Sequence, residues 1–112
     1  LESLAADMAG RYGAEAAYLL IMDSYDRGEF DRVEDRVYAF SDAGSGQTYW
    51  LAKSFIVLGD SFVERGDMEQ AKATFESVRD GYKPVREDDD VLDNVSQRLK
   101  KLEEMLKQEH VE

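Results

Sequence analysis

The chain has 112 residues, one domain's worth, and its 43% apolar and 35% charged composition supports a packed core and excludes wholesale disorder. Its 25 acidic residues outnumber 14 basic ones for a net charge of -11, which argues against nucleic acid and anionic membranes, both of which are held by basic side chains. There is no cysteine, so disulfides, thiolate metal sites and cysteine nucleophiles are excluded.

The longest apolar run, Ala16 to Met22, is too short to span a bilayer. No charged stretch leads into an apolar segment and cleavage site, so no signal peptide is read, and a start at Leu1 reads as a piece of a longer protein. In chain order, Ala9-Gly10-Arg11-Tyr12 mirrors Arg79-Asp80-Gly81-Tyr82, so residues 2–12 read as the tail of an earlier helix. From Ala14 to Arg27, Ala17, Leu20 and Ile21 recur at helical steps. Gly28-Glu29-Phe30 turns the chain into a second helix carrying Val33, Val37 and Phe40, and Ser41 to Thr48 reads as a Gly/Ser loop.

Tyr49 to Arg65 is predicted helical through Phe55, Leu58, Phe62 and Val63. Gly66-Asp67-Met68 repeats the earlier punctuation, and Met68 to Arg79 presents Ala71, Phe75 and Val78. Gly81, Tyr82 and Pro84 form a helix stop. Asp88, Asp89 and Asp90 read as capping for a last helix, Asp90 to Lys107, with Leu92, Val95, Leu99, Leu102 and Leu106 on one face. There Lys100 with Glu104 and Glu103 with Lys107 are i,i+4 pairs, each contributing about 0.2–0.5 kcal/mol. The expected class is all-α.

Gly28 and Gly66 lie 38 residues apart, and aligning them superposes apolar or small positions on both sides. Ala17 falls on Phe55, Leu20 on Leu58, Ile21 on Gly59 and Ser24 on Phe62. Beyond the glycine, Phe30 meets Met68, Val33 meets Ala71, Val37 meets Phe75 and Phe40 meets Val78. The physical reading is a repeated helical hairpin, with glycine at the turn.

This pattern resembles the tetratricopeptide repeat (TPR), a helix–turn–helix unit of about 34 residues. Phe55, Leu58, Gly59, Phe62, Gly66, Asp67, Ala71, Phe75, Val78 and Pro84 carry the resemblance most fully. In the first copy, Ile21, Ser24 and Val33 depart from it. The implied organisation is a single TPR-like α-solenoid over residues 1–112. Its parts are a preceding tail at 2–12, repeats at 14–47 and 48–84, and a capping helix at 89–109. The stretch Ala14-Glu15-Ala16-Ala17-Tyr18-Leu19-Leu20 is similar to bacterial cell-envelope TPR proteins, and Tyr49-Trp50-Leu51-Ala52-Lys53 to the last repeats of long bacterial ones. A periplasmic setting follows from that similarity alone.

In this family the first helix of each hairpin lines the concave surface. The resemblance therefore places Glu15, Tyr18, Met22, Tyr25 and Asp26 in a groove, with Lys53, Ile56, Asp60, Val63 and Glu64 from the second copy. Tyrosine and methionine suit binding surfaces, so a peptide or partner protein is the expected ligand. Chaperone-tail-binding members grip a carboxylate with lysine and asparagine, but Tyr18 and Met22 stand at those positions here. Trp50 reads as a staple over the inter-repeat core, and Phe55, Phe62 and Phe75 as packing.

No catalytic constellation competes with this reading. His110, the single histidine, reads as solvated tail, and pairs such as Asp23 with Asp26 or Asp60 with Glu64 are expected from composition. No phosphate loop, zinc-spaced histidine pair or nucleophile elbow is present, so no enzyme activity, cofactor or metal is expected. The alternative is a structural role, closing the end of a longer solenoid. On that view Leu4, Ala5 and Met8 form a cut edge through which the piece self-associates; on either view residues 90–112 are expected to be needed for folding, because Leu92, Val95, Leu99 and Leu102 cover the last hairpin.

Overall fold

The apolar spacing and the two glycine turns resolve into five helices in the computed structural model, which describes residues 11–44 and 46–110. They are α1 (Arg11–Asp26), α2 (Phe30–Asp42), α3 (Thr48–Glu64), α4 (Met68–Gly81) and α5 (Val91–His110), and no strand occurs among the described residues. Arg11 and Tyr12 belong to α1. Gly13 is buried inside α1, where a lone glycine costs only about 1 kcal/mol against alanine and does not interrupt it. The readings at residues 2–10, including the Leu4, Ala5 and Met8 edge, lie outside the described residues.

The two hairpin turns share one hydrogen-bond pattern. Gly28 N–H donates to the Tyr25 carbonyl (2.9 Å) and Glu29 N–H to that of Ser24 (2.9 Å). Gly66 N–H donates to the Val63 carbonyl (3.0 Å) and Asp67 N–H to that of Phe62 (2.8 Å). Both glycines adopt left-handed φ, 76° and 79°, where a side chain would cost about 1–2 kcal/mol. The last carbonyls of α1 and α3 are thereby satisfied while α2 and α4 fold back onto them. Ser41 and Asp42 stay in α2 and Thr48 opens α3, so the loop is shorter than its composition implied.

Helix α3 is the centre of the packing. It contacts α1, α2, α4 and α5; α1 also pairs with α2 and α4 with α5. The four outer helices each supply one buried face, Ala14, Ala17 and Ile21; Val33, Val37 and Phe40; Ala71, Phe75 and Val78; Val91, Val95 and Leu102, whereas α3 is buried on several sides through residues such as Ile56, Val57, Leu58 and Phe62. Phe55, expected in the core, is only half-buried. Ser54 and Ser61 are fully buried in α3, and their hydroxyls donate to its own carbonyls at Trp50 (2.8 Å) and Leu58 (2.7 Å). Small residues with internally satisfied hydroxyls let neighbouring helices close on α3 without an orphaned polar group.

Candidate functional site

Helices α1 and α5 both rest on α3 but not on each other, leaving a groove floored by α3. Its first compartment, about 380 Å³, is lined by Tyr18, Met22 and Tyr25 of α1. Lys53, Ile56, Val57 and Asp60 of α3 form its floor, and Asp90, Asn94 and Arg98 the opposite wall. An adjoining compartment of about 300 Å³ shares Tyr25, Asp60 and Arg98, and adds Val63, Glu64, Phe75, Lys101, Leu102 and Met105.

The ion pair between Asp60 and Arg98 spans the boundary between the two. Arg98 Nε donates to both carboxylate oxygens of Asp60, at 2.9 and 3.1 Å. Burial pushes the Asp60 carboxyl above the ordinary aspartate range; Arg98 pulls the other way without cancelling it, and Glu64 adds to the rise. Burial, then the carboxylates of Asp60 and Glu64, also raise the Tyr25 hydroxyl.

A second polar cluster closes the other end of the groove. Tyr49 Oη donates to Asp90 at 3.0 Å, and Lys53 Nζ lies 3.4 Å from Tyr49 Oη and 3.6 Å from the Asp90 carboxylate. Burial works against the Lys53 charge, but the Tyr49 hydroxyl and nearby Tyr18, Tyr49 and Asp90 outweigh it and hold the ammonium above the ordinary lysine range. Trp50 bridges helices as well, its ring 5.5 Å from that of Tyr18 and 5.1 Å, edge-on, from that of Tyr49. Arg86 stacks on the outer face of Tyr49, at 4.4 Å.

No family model, curated protein or solved structure matches this chain. Residues and geometry are therefore what bear on its function.

Tyr18, Met22, Tyr25, Lys53, Ile56, Asp60, Val63 and Glu64 are brought together along the groove, although Ile56 is buried as floor rather than offered to a ligand. Glu15 and Asp26 are exposed on α1 and line neither compartment. Sequence reasoning missed the far wall, Asn94, Arg98, Lys101 and Met105. Their three- and four-residue steps were legible, but the leucine stripe of the same helix directed attention to packing. The expected pairs Lys100–Glu104 and Glu103–Lys107 are not formed; these exposed side chains keep their entropy, and Arg98 reaches Asp60 instead.

The acidic triplet divides its labour rather than capping as a block. Asp89 accepts from Val91 N–H at 3.0 Å at the start of α5, from Val85 N–H at 3.1 Å, and from the Tyr82 hydroxyl. Asp88 pairs with Arg86 at 3.1 Å, and Asp90 serves Tyr49 and Lys53. Asp23 is paired with Arg27 at 3.1 Å. Among the described residues no group of three or more histidines and carboxylates is placed to hold a metal, and no helix is long and apolar enough to cross a membrane.

Proposed function

We propose that the chain is a short TPR-like solenoid that acts without catalysis, binding a peptide or partner protein in the groove between α1 and α5. The observation that carries this reading is the ridge of Tyr18, Met22 and Tyr25, each only partly covered, facing a second helix across an open floor. Aromatic and methionine side chains give contact area at low conformational cost, and the ion pairs around them fix the walls. The Asp60 carboxylate is engaged by Arg98, which leaves it poorly placed for acid–base chemistry. The test is affinity capture with Tyr18→Ala/Met22→Ala, with helicity checked by circular dichroism. Loss of captured protein at full helicity is expected; undiminished capture refutes the reading.

A second reading, closure of a longer solenoid's end, is favoured by an asymmetry between the two ends of the stack. On α5, Asp93, Ser96, Gln97, Lys100, Glu104, Lys107 and Gln108 are all exposed, a polar outer face. On α1, Ala16 and Leu19 are exposed, whereas their aligned counterparts on α3, Ser54 and Val57, are buried. Leu19→Glu tests this role. If Leu19 forms part of a stacking face, the substitution removes concentration-dependent association in sedimentation experiments. A protein that is monomeric with either residue at position 19 overturns it.

A further inference from the structure

We propose that α1 offers its outer stripe, Ala16, Leu19, Asp23 and Arg27, to a preceding helical hairpin whose second helix brings two carboxylates to Arg27; this rests on the end-closure reading above. The molecule itself shows how such a stripe is covered. On α3, Trp50, Ser54, Val57, Ser61 and Arg65 follow one another at three- and four-residue steps, along one side of the helix to its C-cap. Trp50 meets the Tyr18 ring of α1 at 5.5 Å, and Arg65 holds Asp31 (3.1 Å) and Glu34 (3.4 Å) of α2. Both ends of the stripe are thus fixed on the first hairpin, and Ser54, Val57 and Ser61 between them are buried.

On α1 the positions 38 residues earlier are bare. Ala16, Leu19, Asp23 and Arg27 align with Ser54, Val57, Ser61 and Arg65, and all four are exposed. Arg27 keeps 66% of its side chain in solvent, against 29% for Arg65. Charge decides what the occupant carries. Arg65 grips the two α2 carboxylates through its Nη groups. Arg27 binds Asp23 through Nε at 3.1 Å, and its Nη groups form no ion pair among the described residues. They are the donors that Arg65 turns towards its neighbouring hairpin. Asp23 stands where α3 has Ser61, but Arg27 neutralises it, so covering the stripe leaves no unpaired charge. A guanidinium has five donors, enough for Asp23 and an acidic partner together. The hairpin that fits therefore has carboxylates spaced like Asp31 and Glu34 near the start of its second helix. Lysine or arginine there would face Arg27 and be rejected.

A tandem chain tests this. A copy of residues 11–47 takes the place of residues 1–9, so that each copied position lies 38 residues before its original, the spacing of the two hairpins. The copied helices are expected to join a single cooperative melt and to raise its midpoint by at least about 4 °C. Leu19→Glu, made in the original α1, removes the rise. Arg27→Ala there lowers the tandem midpoint by about 2–4 °C more than it lowers that of the single chain. That excess disappears once Asp31→Ala and Glu34→Ala are made in the copy. An unchanged midpoint, a separate transition for the copy, or a rise that survives Leu19→Glu overturns the inference. So does a rise that Leu19→Glu removes but Arg27→Ala leaves whole, although the stacking role of Leu19 then stands. Sedimentation of the Leu19→Glu single chain judges the end-closure reading separately.

Discussion

The Phe75 ring on α4 lies so close against the Gly59 backbone on α3 that a Cβ built at Gly59 would stand 2.7 Å from its Cζ. The aligned positions in the first hairpin are Ile21 and Val37, both buried. Bulk has moved from the second helix to the first, and the layer stays filled. The reverse trade links Phe62 and Val78 with Ser24 and Phe40, all buried, where bulk has moved from the first helix to the second. Two departures of the first copy from the repeat pattern, Ile21 and Ser24, thus come as compensated pairs rather than isolated defects.

Gly59→Ala is therefore expected to destabilise. Alanine gains about 1 kcal/mol in helix propensity, but forcing the ring aside costs about 1–3 kcal/mol. In a Phe75→Val background, which restores the balance of the first hairpin, the same substitution becomes neutral or favourable. Urea denaturation of the four proteins measures the coupling. Equal effects of Gly59→Ala in both backgrounds would show that the close approach is unimportant.

The two turns differ in one respect that predicts a stabilising change. Asp67 accepts a hydrogen bond from Gln70 N–H at 3.2 Å, capping α4, whereas the longer Glu29 makes no such bond to α2. Their backbones are nearly the same, with φ/ψ of -92/74° and -87/66°. Glu29→Asp is expected to raise the melting temperature, adding about 0.5–1 kcal/mol, and Asp67→Ala to remove about 1 kcal/mol. A Glu29→Asp protein no more stable than wild type would refute the geometric argument.

The hairpins were legible because their signals are local. Gly28 and Gly66 need left-handed backbone, and the apolar steps around them have only one helical reading. The α5 wall was not, because Arg98 and Lys101 are charged residues whose place depends on α3, far away in sequence. Asp60 shows the same limit: nothing near it in the chain announces Arg98 as its partner. Asp88, Asp89 and Asp90 have the composition of a cap, yet only Asp89 bonds an α5 N–H through its side chain, since Asp90 is drawn to Tyr49 and Lys53.

Two groups of carboxyls pull stability in opposite directions with pH. Burial opposes ionisation of Asp89, but bonds from Tyr82, Val91 and Val85 and the charge of Arg86 outweigh it and hold it below the ordinary value of 3.8. Asp90 is lowered likewise, against burial, by Tyr49 and Lys53. Their contribution is full above 3.8 and is lost as pH falls through the lowered folded values. Asp60, raised chiefly by burial, does the reverse: its contribution is full below 3.8 and is lost as pH rises through its folded value. Asp89→Asn should flatten the acid limb of the melting profile. For Asp60→Asn, the difference from wild type should shift in the variant's favour as pH rises from below 3.8 towards neutrality. Parallel profiles for all three proteins would exclude these carboxyls as the source of the pH dependence.

Helix α5 closes the core as well as forming a wall. Val91, Val95 and Leu102 are almost wholly buried, and Leu92, Leu99 and Leu106 pack against the same cluster. Its removal uncovers α4, which otherwise has only α3 as a neighbour, and takes away the partner of Asp60. Deleting residues 90–112 is expected to abolish the cooperative melt, because the α3–α4 hairpin is left with a bare apolar face and the remaining stack falls below the roughly three units that such repeats need. Val95→Asp should have the same consequence through an unpaired buried charge. Arg98→Ala should be milder than either, since it leaves the apolar face in place and lets water reach Asp60. A deletion protein that still melts cooperatively would show that α1 to α4 form a self-sufficient core, and α5 would then be only a wall of the groove.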